Sequence, residues 1–304
     1  MDARRARPTR RRILGIGAGT TLAACVPAGG TAFAASPVGE GIRRRLRELE
    51  RAHSARLGVF ARNLATGATV LHRADELFPI CSVWKPLAAA AVLRDLDRHG
   101  EFLARRVHYT TADLVAYSPI TGTAEHLADG MTVSELCAAA ICYSDNTAGN
   151  LLLREIGGPS GITRFCRSIG DPVTRLDRWE TELNSAEPWR LTDTTSPRHI
   201  AQTFTKLTVG NALGQQDRRR LTEWLLHNTT SGKQFRAGLP KDWTVADKTG
   251  AGDYGTDNNV GIAWPPDQSP ITLAVLTTKP DHPKAPADNP LVAQTAALLA
   301  TALT

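Results

Sequence analysis

The sequence predicts an α/β protein: an antiparallel sheet flanked by helices, built from both chain ends, with an all-helical lobe inserted between them. Three observations carry this. Strand-like runs stand at residues 57–61 and 69–71 and return only after Pro240, at 243–246, 260–264 and 271–277. The stretch between them is punctuated by helix starts and stops. At 304 residues, 42% of them hydrophobic, the chain is long enough to bury a large core as one domain with two lobes. The expected division is an α/β lobe of about 38–73 plus 222–304 and a helical lobe of about 74–221, within a domain of 35–304.

Each element has a local reason. Ile42, Leu46 and Leu49 recur at helical spacing among Arg and Glu, predicting an amphipathic helix over 41–52. Ala65-Thr66-Gly67 turns a hairpin between the first two strands. An Ala- and Leu-rich run from Ser82 to Leu93 reads as a buried helix that ends near His99-Gly100. Residues 110–129 are polar and loop-like, with Tyr117-Ser118-Pro119 inside. Thr132-Val133-Ser134-Glu135 is a capping box for a helix over 133–142. A further helix runs over 147–156 and stops at Gly157-Gly158, with short helical pieces to Gly170. Residues 171–193 show no period but are dense in Asp, Glu, Arg, Trp and Asn, and so long a loop in a compact domain is usually functional. Ser196-Pro197 opens another helix and Asn289-Pro290 caps a closing one that reaches Leu303. There is no internal repeat.

Charge and cysteines narrow the function. The net +6 is concentrated in Arg4, Arg5, Arg7, Arg10, Arg11 and Arg12, against Asp2. Without that segment about +1 remains, so there is no basic excess to suggest nucleic acid. Residues 1–34 read as an export signal. Thr9-Arg10-Arg11-Arg12-Ile13-Leu14 resembles a twin-arginine signal, and Ala32-Phe33-Ala34 is a cleavage pattern that leaves Ala35 first. Leu22-Ala23-Ala24-Cys25 also resembles a lipoprotein box, so secretion in free form and a lipid anchor on Cys25 both stand as readings. Secretion is the expectation, extracellular or periplasmic. No other segment is apolar and long enough to span a bilayer. Cys81, Cys137, Cys142 and Cys166 have apolar flanks and are expected as buried free thiols.

The chemistry centres on Cys81-Ser82-Val83-Trp84-Lys85. A helix that begins at Ser82 places Lys85 one turn on, on the same face. A serine needs a partner to take its proton, and a buried amine can do so because desolvation disfavours the ammonium. The first helical turn also offers free N–H groups to a developing oxyanion. Ser144-Asp145-Asn146 follows between two helices, and Lys248-Thr249-Gly250 ends a strand. Each motif alone has a plain reading as cap, turn or strand end. All three in this order, in these settings, form a specific signal.

This trio resembles that of class A β-lactamases and penicillin-binding proteins. Arg175-Leu176-Asp177-Arg178-Trp179-Glu180-Thr181-Glu182-Leu183-Asn184 resembles the omega loop of class A serine β-lactamases. The resemblance covers essentially the whole mature chain and implies a β-lactamase/transpeptidase-like fold. It implies that Ser82 attacks the β-lactam carbonyl and gives its proton to Lys85, or to Glu180 through a water. Ser82 and Ala251 supply oxyanion N–H groups, and Ser144 passes a proton to the leaving nitrogen. Asn146, Lys248, Thr249, Gly250, Ala251 and Tyr117 border the substrate. Glu180, with Asn184, activates the deacylating water, and an Arg178–Asp193 ion pair pins the loop. No cofactor and no metal are implied, and the eight histidines show no H-E-x-x-H. The partner is a small-molecule β-lactam, and a monomer is expected.

The sequence departs from the family in two places. Gly255-Thr256-Asp257-Asn258 lacks the arginine that many members place after Lys-Thr-Gly to grip a substrate carboxylate, leaving Lys284 and Arg236 as weak substitutes. Gly252 stands near where some carbapenem-hydrolysing members have a cysteine to pair with Cys81. Two rivals remain: a D,D-peptidase, which shares the first three motifs but lacks the Glu180 loop, and a β-lactam sensor.

Overall fold

The computed structural model describes residues 37–266 and 268–304. The expected export signal and Cys25 lie outside them. A five-stranded antiparallel sheet runs in the order β2-β1-β9-β8-β7, where β1 is Arg56–Asn63, β2 Thr69–His72, β7 Thr244–Gly252, β8 Thr256–Trp264 and β9 Ile271–Thr278. Both chain ends therefore build one sheet, as predicted.

The sheet is covered on both faces, which explains why its strands read as apolar runs. Val59, Ala61, Leu273 and Val275 point into a core with Leu46 of helix α1 (Pro37–Ala52) and Leu291 and Leu299 of helix α11 (Asn289–Leu303). Phe60, Ala274 and Leu276, one residue out of phase, enter a second core with the inserted helices.

At the centre of that second core is helix α2, Lys85–Ala91, every residue of which is buried. It packs against α5 (Val133–Cys142), α6 (Asn146–Glu155), α7 (Ser160–Ser168) and α9 (Gln215–Leu226). Its alanines let neighbours approach on every side. Helix α8, Pro197–Thr208, lies on the sheet and is capped by Ser196, which accepts from the His199 N–H.

Several expectations need correction. The helix after Ser82 does not run to His99-Gly100: it passes into a π-helical turn over Val92–Leu96, and Gly100, at φ 88°, starts the short α3, Glu101–Ala104. Residues 110–129 are not all loop, since Thr123 caps helix α4 over Ala124–Asp129. Helix α9 was not expected; only Leu221 and Leu225 are buried on it, so its apolar period is faint. The cap of α11 is Asp288, whose side chain accepts from the Leu291 N–H, and Asn289 is already helical. The capping box of Thr132 and Glu135 is present as read, with reciprocal bonds of 3.2 and 2.7 Å.

Candidate active site

Ser82 lies in a 3-10 turn, Cys81–Trp84, that feeds directly into α2. Cys81 adopts φ 43°, in the left-handed region, so the turn bends sharply before the serine. Two strands hold it there. Asn258 Nδ2 of β8 donates to the carbonyls of Pro79 (2.9 Å) and Ile80 (3.2 Å). Gly250 of β7 lies so close that a Cβ on it would come within 3.0 Å of the Ser82 nitrogen. The glycine of Lys-Thr-Gly is thus required by close approach to the nucleophile.

Lys85 follows one turn later and is fully buried. Its Nζ donates to Asn146 Oδ1 at 2.6 Å and to the Ser144 carbonyl at 2.8 Å, and stands 3.4 Å from Glu180 Oε1. Burial holds its pKa below the ordinary lysine value, with Glu180 opposing the shift.

Ser144 sits between α5 and α6 at φ 58°. Its hydroxyl receives a bond from Lys248 Nζ at 2.9 Å and a longer one from Lys85 Nζ at 3.5 Å, so it bridges the two lysines. Lys248 is also fully buried, and burial and then the charge of Lys85 hold its pKa well below the usual value. Asp145 has a different task. It caps α6 through the Ala148 N–H (2.8 Å) and accepts from the N–H groups of Ile120 and Thr121 (2.9 Å each), so it fixes the loop carrying Tyr117. Tyr117 is exposed at the cavity mouth, and its carbonyl accepts the Asn146 N–H at 3.0 Å.

The long loop brings Glu180 into the same space. Ser82 Oγ reaches Glu180 Oε1 at 3.4 Å, and Asn184 Nδ2 donates to Oε2 at 2.6 Å. The loop is pinned where expected: Arg178 Nε donates to Asp193 Oδ2 at 2.6 Å, while Oδ1 accepts the N–H groups of Asp177 and Arg178.

The sequence reading missed two further anchors. Trp84 Nε1 donates to Glu180 Oε1 at 3.2 Å. Asn150 holds the Glu180 backbone at both ends, donating to its carbonyl (2.9 Å) and accepting its N–H (3.0 Å). A polar Asn four residues after Asn146, directly before the buried run Leu151-Leu152-Leu153 of the same helix, was the available signal.

These groups open on a cavity of about 350 Å³. Ser82, Ser144, Asn146, Asn184, Thr249 and Ala251 line it, with Tyr117 and Gly250. Thr230, Gln234 and Asp257 line it too and were not foreseen. The weak substitutes for an arginine do not reach it. Arg236 is held by the carbonyls of Leu226 and Val245 and by Ser231 and Asp247, and Lys284 is exposed beside Asp253. Cys81 is a buried free thiol whose pKa burial pushes up, which makes it inert. A Cβ on Gly252 would lie 2.9 Å from its Sγ, so the position expected for a cysteine partner does face Cys81. Among the described residues no cluster of His, Cys, Asp or Glu is arranged to hold a metal.

The arrangement suits acyl transfer: a buried hydroxyl nucleophile beside an amine and a carboxylate, with a second hydroxyl–lysine pair across the cavity. Comparison with known proteins agrees. The profile of the beta-lactamase enzyme family matches residues 41–303. The chain is 62% identical to a beta-lactamase of Streptomyces lavendulae over 300 residues, 98% of each chain. It is 60% identical over 307 residues to one from Streptomyces fradiae, covering all of both. Among solved structures, the beta-lactamase from Streptomyces albus G superposes with a TM-score of 0.86 at 60% identity, over 87% of this chain and 100% of that one.

Proposed function

Because this chain belongs to the class A serine β-lactamase family, we propose the following path for the hydrolysis of penicillins and cephalosporins, the activity by which it confers resistance. Ser82 Oγ attacks the lactam carbonyl as its proton passes into the buried Lys85–Glu180 pair. The oxyanion is received by the N–H groups of Ser82 and Ala251, on the helical turn and on β7. The C–N bond breaks as Ser144 gives its proton to the ring nitrogen. Lys85, bonded to Ser144, replaces it with the proton taken from Ser82, which leaves Glu180 a carboxylate. Lys248, also bonded to Ser144, assists through its positive field. Asn146 and Thr249 border the bound drug, and Lys248 supplies the positive field for its carboxylate.

Glu180 then takes a proton from a water that attacks the ester carbonyl, and Ser82 leaves with its proton restored. The observation that carries this reading is Glu180 itself. A carboxylate held through its backbone by Asn150 and through its side chain by Trp84 and Asn184 stands 3.4 Å from the nucleophile. A D,D-peptidase or a sensor has no use for such a base.

The test is turnover of a chromogenic cephalosporin by the parent and by Glu180→Ala. Many turnovers in the parent and a stalled acyl-enzyme in the variant, seen by mass spectrometry, are expected. A single stoichiometric burst in the parent would overturn the reading.

The same proposal extends to the setting. One chain supplies every group above, so a monomer suffices for the reaction, and the protein is exported on its twin-arginine signal and released at Ala35. N-terminal sequencing of the exported protein checks this; a lipidated Cys25 is the opposing result. No described helix is long and apolar enough to cross a membrane.

A further inference from the structure

Asp257 lines the cavity, yet the reaction above makes no use of it. It pairs with Ala251 across β7 and β8, so it shares a face with Ala251 and Thr249. Gln234 Nε2 donates to Oδ1 at 2.5 Å, whereas Oδ2 is buried with no hydrogen-bond partner. The residue is 1% exposed, and no salt bridge among the described residues includes it.

Its surroundings do not favour a negative charge. Gln234 is neutral. From β9, Thr277 bonds only its backbone, accepting its N–H and donating to its carbonyl. From the start of α11 comes Asp288, whose partners, Lys279 and the His53 ring, are engaged with Asp288 itself. From the nucleophile turn comes Cys81, a neutral thiol. On β7, Lys248 is engaged with Ser144 and the Thr249 carbonyl. Burial, then Asp288, pushes the Asp257 pKa up to about 8.

We propose that Asp257 is a specificity-determining residue: protonated, it donates from Oδ2 toward the carboxylate of an incoming β-lactam, and ionised, it repels that carboxylate. The proposal rests on the β-lactamase reading. A neutral carboxyl is a donor, and its bond to a carboxylate is of the strong, charge-assisted kind. Loss of the proton replaces that donor with a like charge in a cavity of low dielectric. The proposal thus ties the recognition of anionic substrates to a residue that carries no positive charge.

The experiment is KM against pH from 6.5 to 9.5 with a penicillin and with its neutral carboxyl ester, for the parent and for Asp257→Asn. For the parent with the anionic drug, KM is expected to rise at least about tenfold across that range. The ester and Asp257→Asn are expected to lack this rise. Lys248 would also lose its proton as pH rises, so a rise that persists in Asp257→Asn assigns the effect to Lys248 and overturns the proposal. A flat KM in the parent overturns it as well. Should Asp257→Asn fail to fold, carbon-13 titration of the parent decides: an Asp carboxyl that titrates near pH 8 and shifts on acylation supports the proposal, and none doing so refutes it. Absence of hydrolysis at every pH sinks the β-lactamase reading and this proposal together, whereas hydrolysis with a flat KM sinks this proposal alone.

Discussion

Lys85 Nζ and Glu180 Oε1 stand 3.4 Å apart, and neither side chain reaches solvent. Each charge is tolerable because of the other, and the same carboxylate oxygen accepts from Ser82 and Trp84. Proton transfer from the nucleophile therefore enters a coupled pair rather than a single base. Lys85→Arg tests the part that the amine plays. Arginine retains a positive charge opposite Glu180 but cannot give up a proton. The acylation rate is expected to fall by about 10²–10⁴, measured as single-turnover acylation by a penicillin. A rate within a few-fold of the parent would show that Lys85 acts only as a charge.

Ser144 is the only hydroxyl that receives bonds from both buried lysines among the described residues. Ser144→Ala leaves both ammonium groups short of an acceptor and removes the proton relay to the ring nitrogen. A loss of about 10²-fold or more in kcat/KM is expected. Glu180→Ala would block deacylation, whereas this change should leave little acyl-enzyme at steady state. Accumulated acyl-enzyme in Ser144→Ala would place the defect on the wrong step.

Asp193 shows how the loop is held. It satisfies two backbone N–H groups and the Arg178 guanidinium at once, and its side chain is almost fully buried. Asp193→Ala strands all three donors. A cost of about 2–4 kcal/mol is expected, read as a lower denaturant midpoint. Deacylation should slow more than acylation, because the loop carries Glu180 while the 3-10 turn and the α2 that follows it carry Ser82 and Lys85.

Gly250→Ala probes the close approach of β7. The added methyl meets the Ser82 nitrogen at 3.0 Å and the Val83 nitrogen at 3.2 Å, both backbone atoms that have little room to yield. Overpacking of this kind costs about 1–3 kcal/mol. A fall of at least about tenfold in acylation is expected as the turn shifts. An unaltered acylation rate in a folded variant would mean that the turn can move without penalty.

How much of this was legible in the sequence depends on how local each feature is. Thr132 and Glu135 are three residues apart and their mutual bonds follow from that spacing alone. The order of the Ser82, Ser144 and Lys248 motifs announced a shared site because each lay at an element boundary. Helix α9 was hidden because its sequence, QQDRRRLTEWLL, is polar around most of its circumference. Trp84 and Asn150 looked like ordinary core and helix residues, since their partner Glu180 lies on a distant loop. Gln234 and Asp257 meet only through the fold of β8 against the segment that follows α9. The absence of an arginine near Asp257 was visible, but the unpartnered carboxyl occupying the place was not.

The buried carboxyl of Asp257 makes a further prediction, on stability. Its pKa in the folded protein is pushed from an ordinary 3.8 up to about 8 by burial first and Asp288 second. Between these values the folded chain holds a proton that the unfolded chain has released. Stability must then fall as pH rises through this window, by at most about 1.4 kcal/mol per pH unit, and level off above pH 8. The direction is opposite to that of Asp288, whose carboxyl is held low by Lys279 and His53 and stabilises the fold above its ordinary pKa. Asp257→Asn removes the titration while keeping the size of the side chain and a donor at the same place. The parent's Tm, measured from pH 5 to 9 at constant ionic strength, should drop relative to the variant's as pH rises. Parallel Tm curves for the two proteins would mean that Asp257 ionises as readily in the fold as out of it, and that the cavity accommodates its charge.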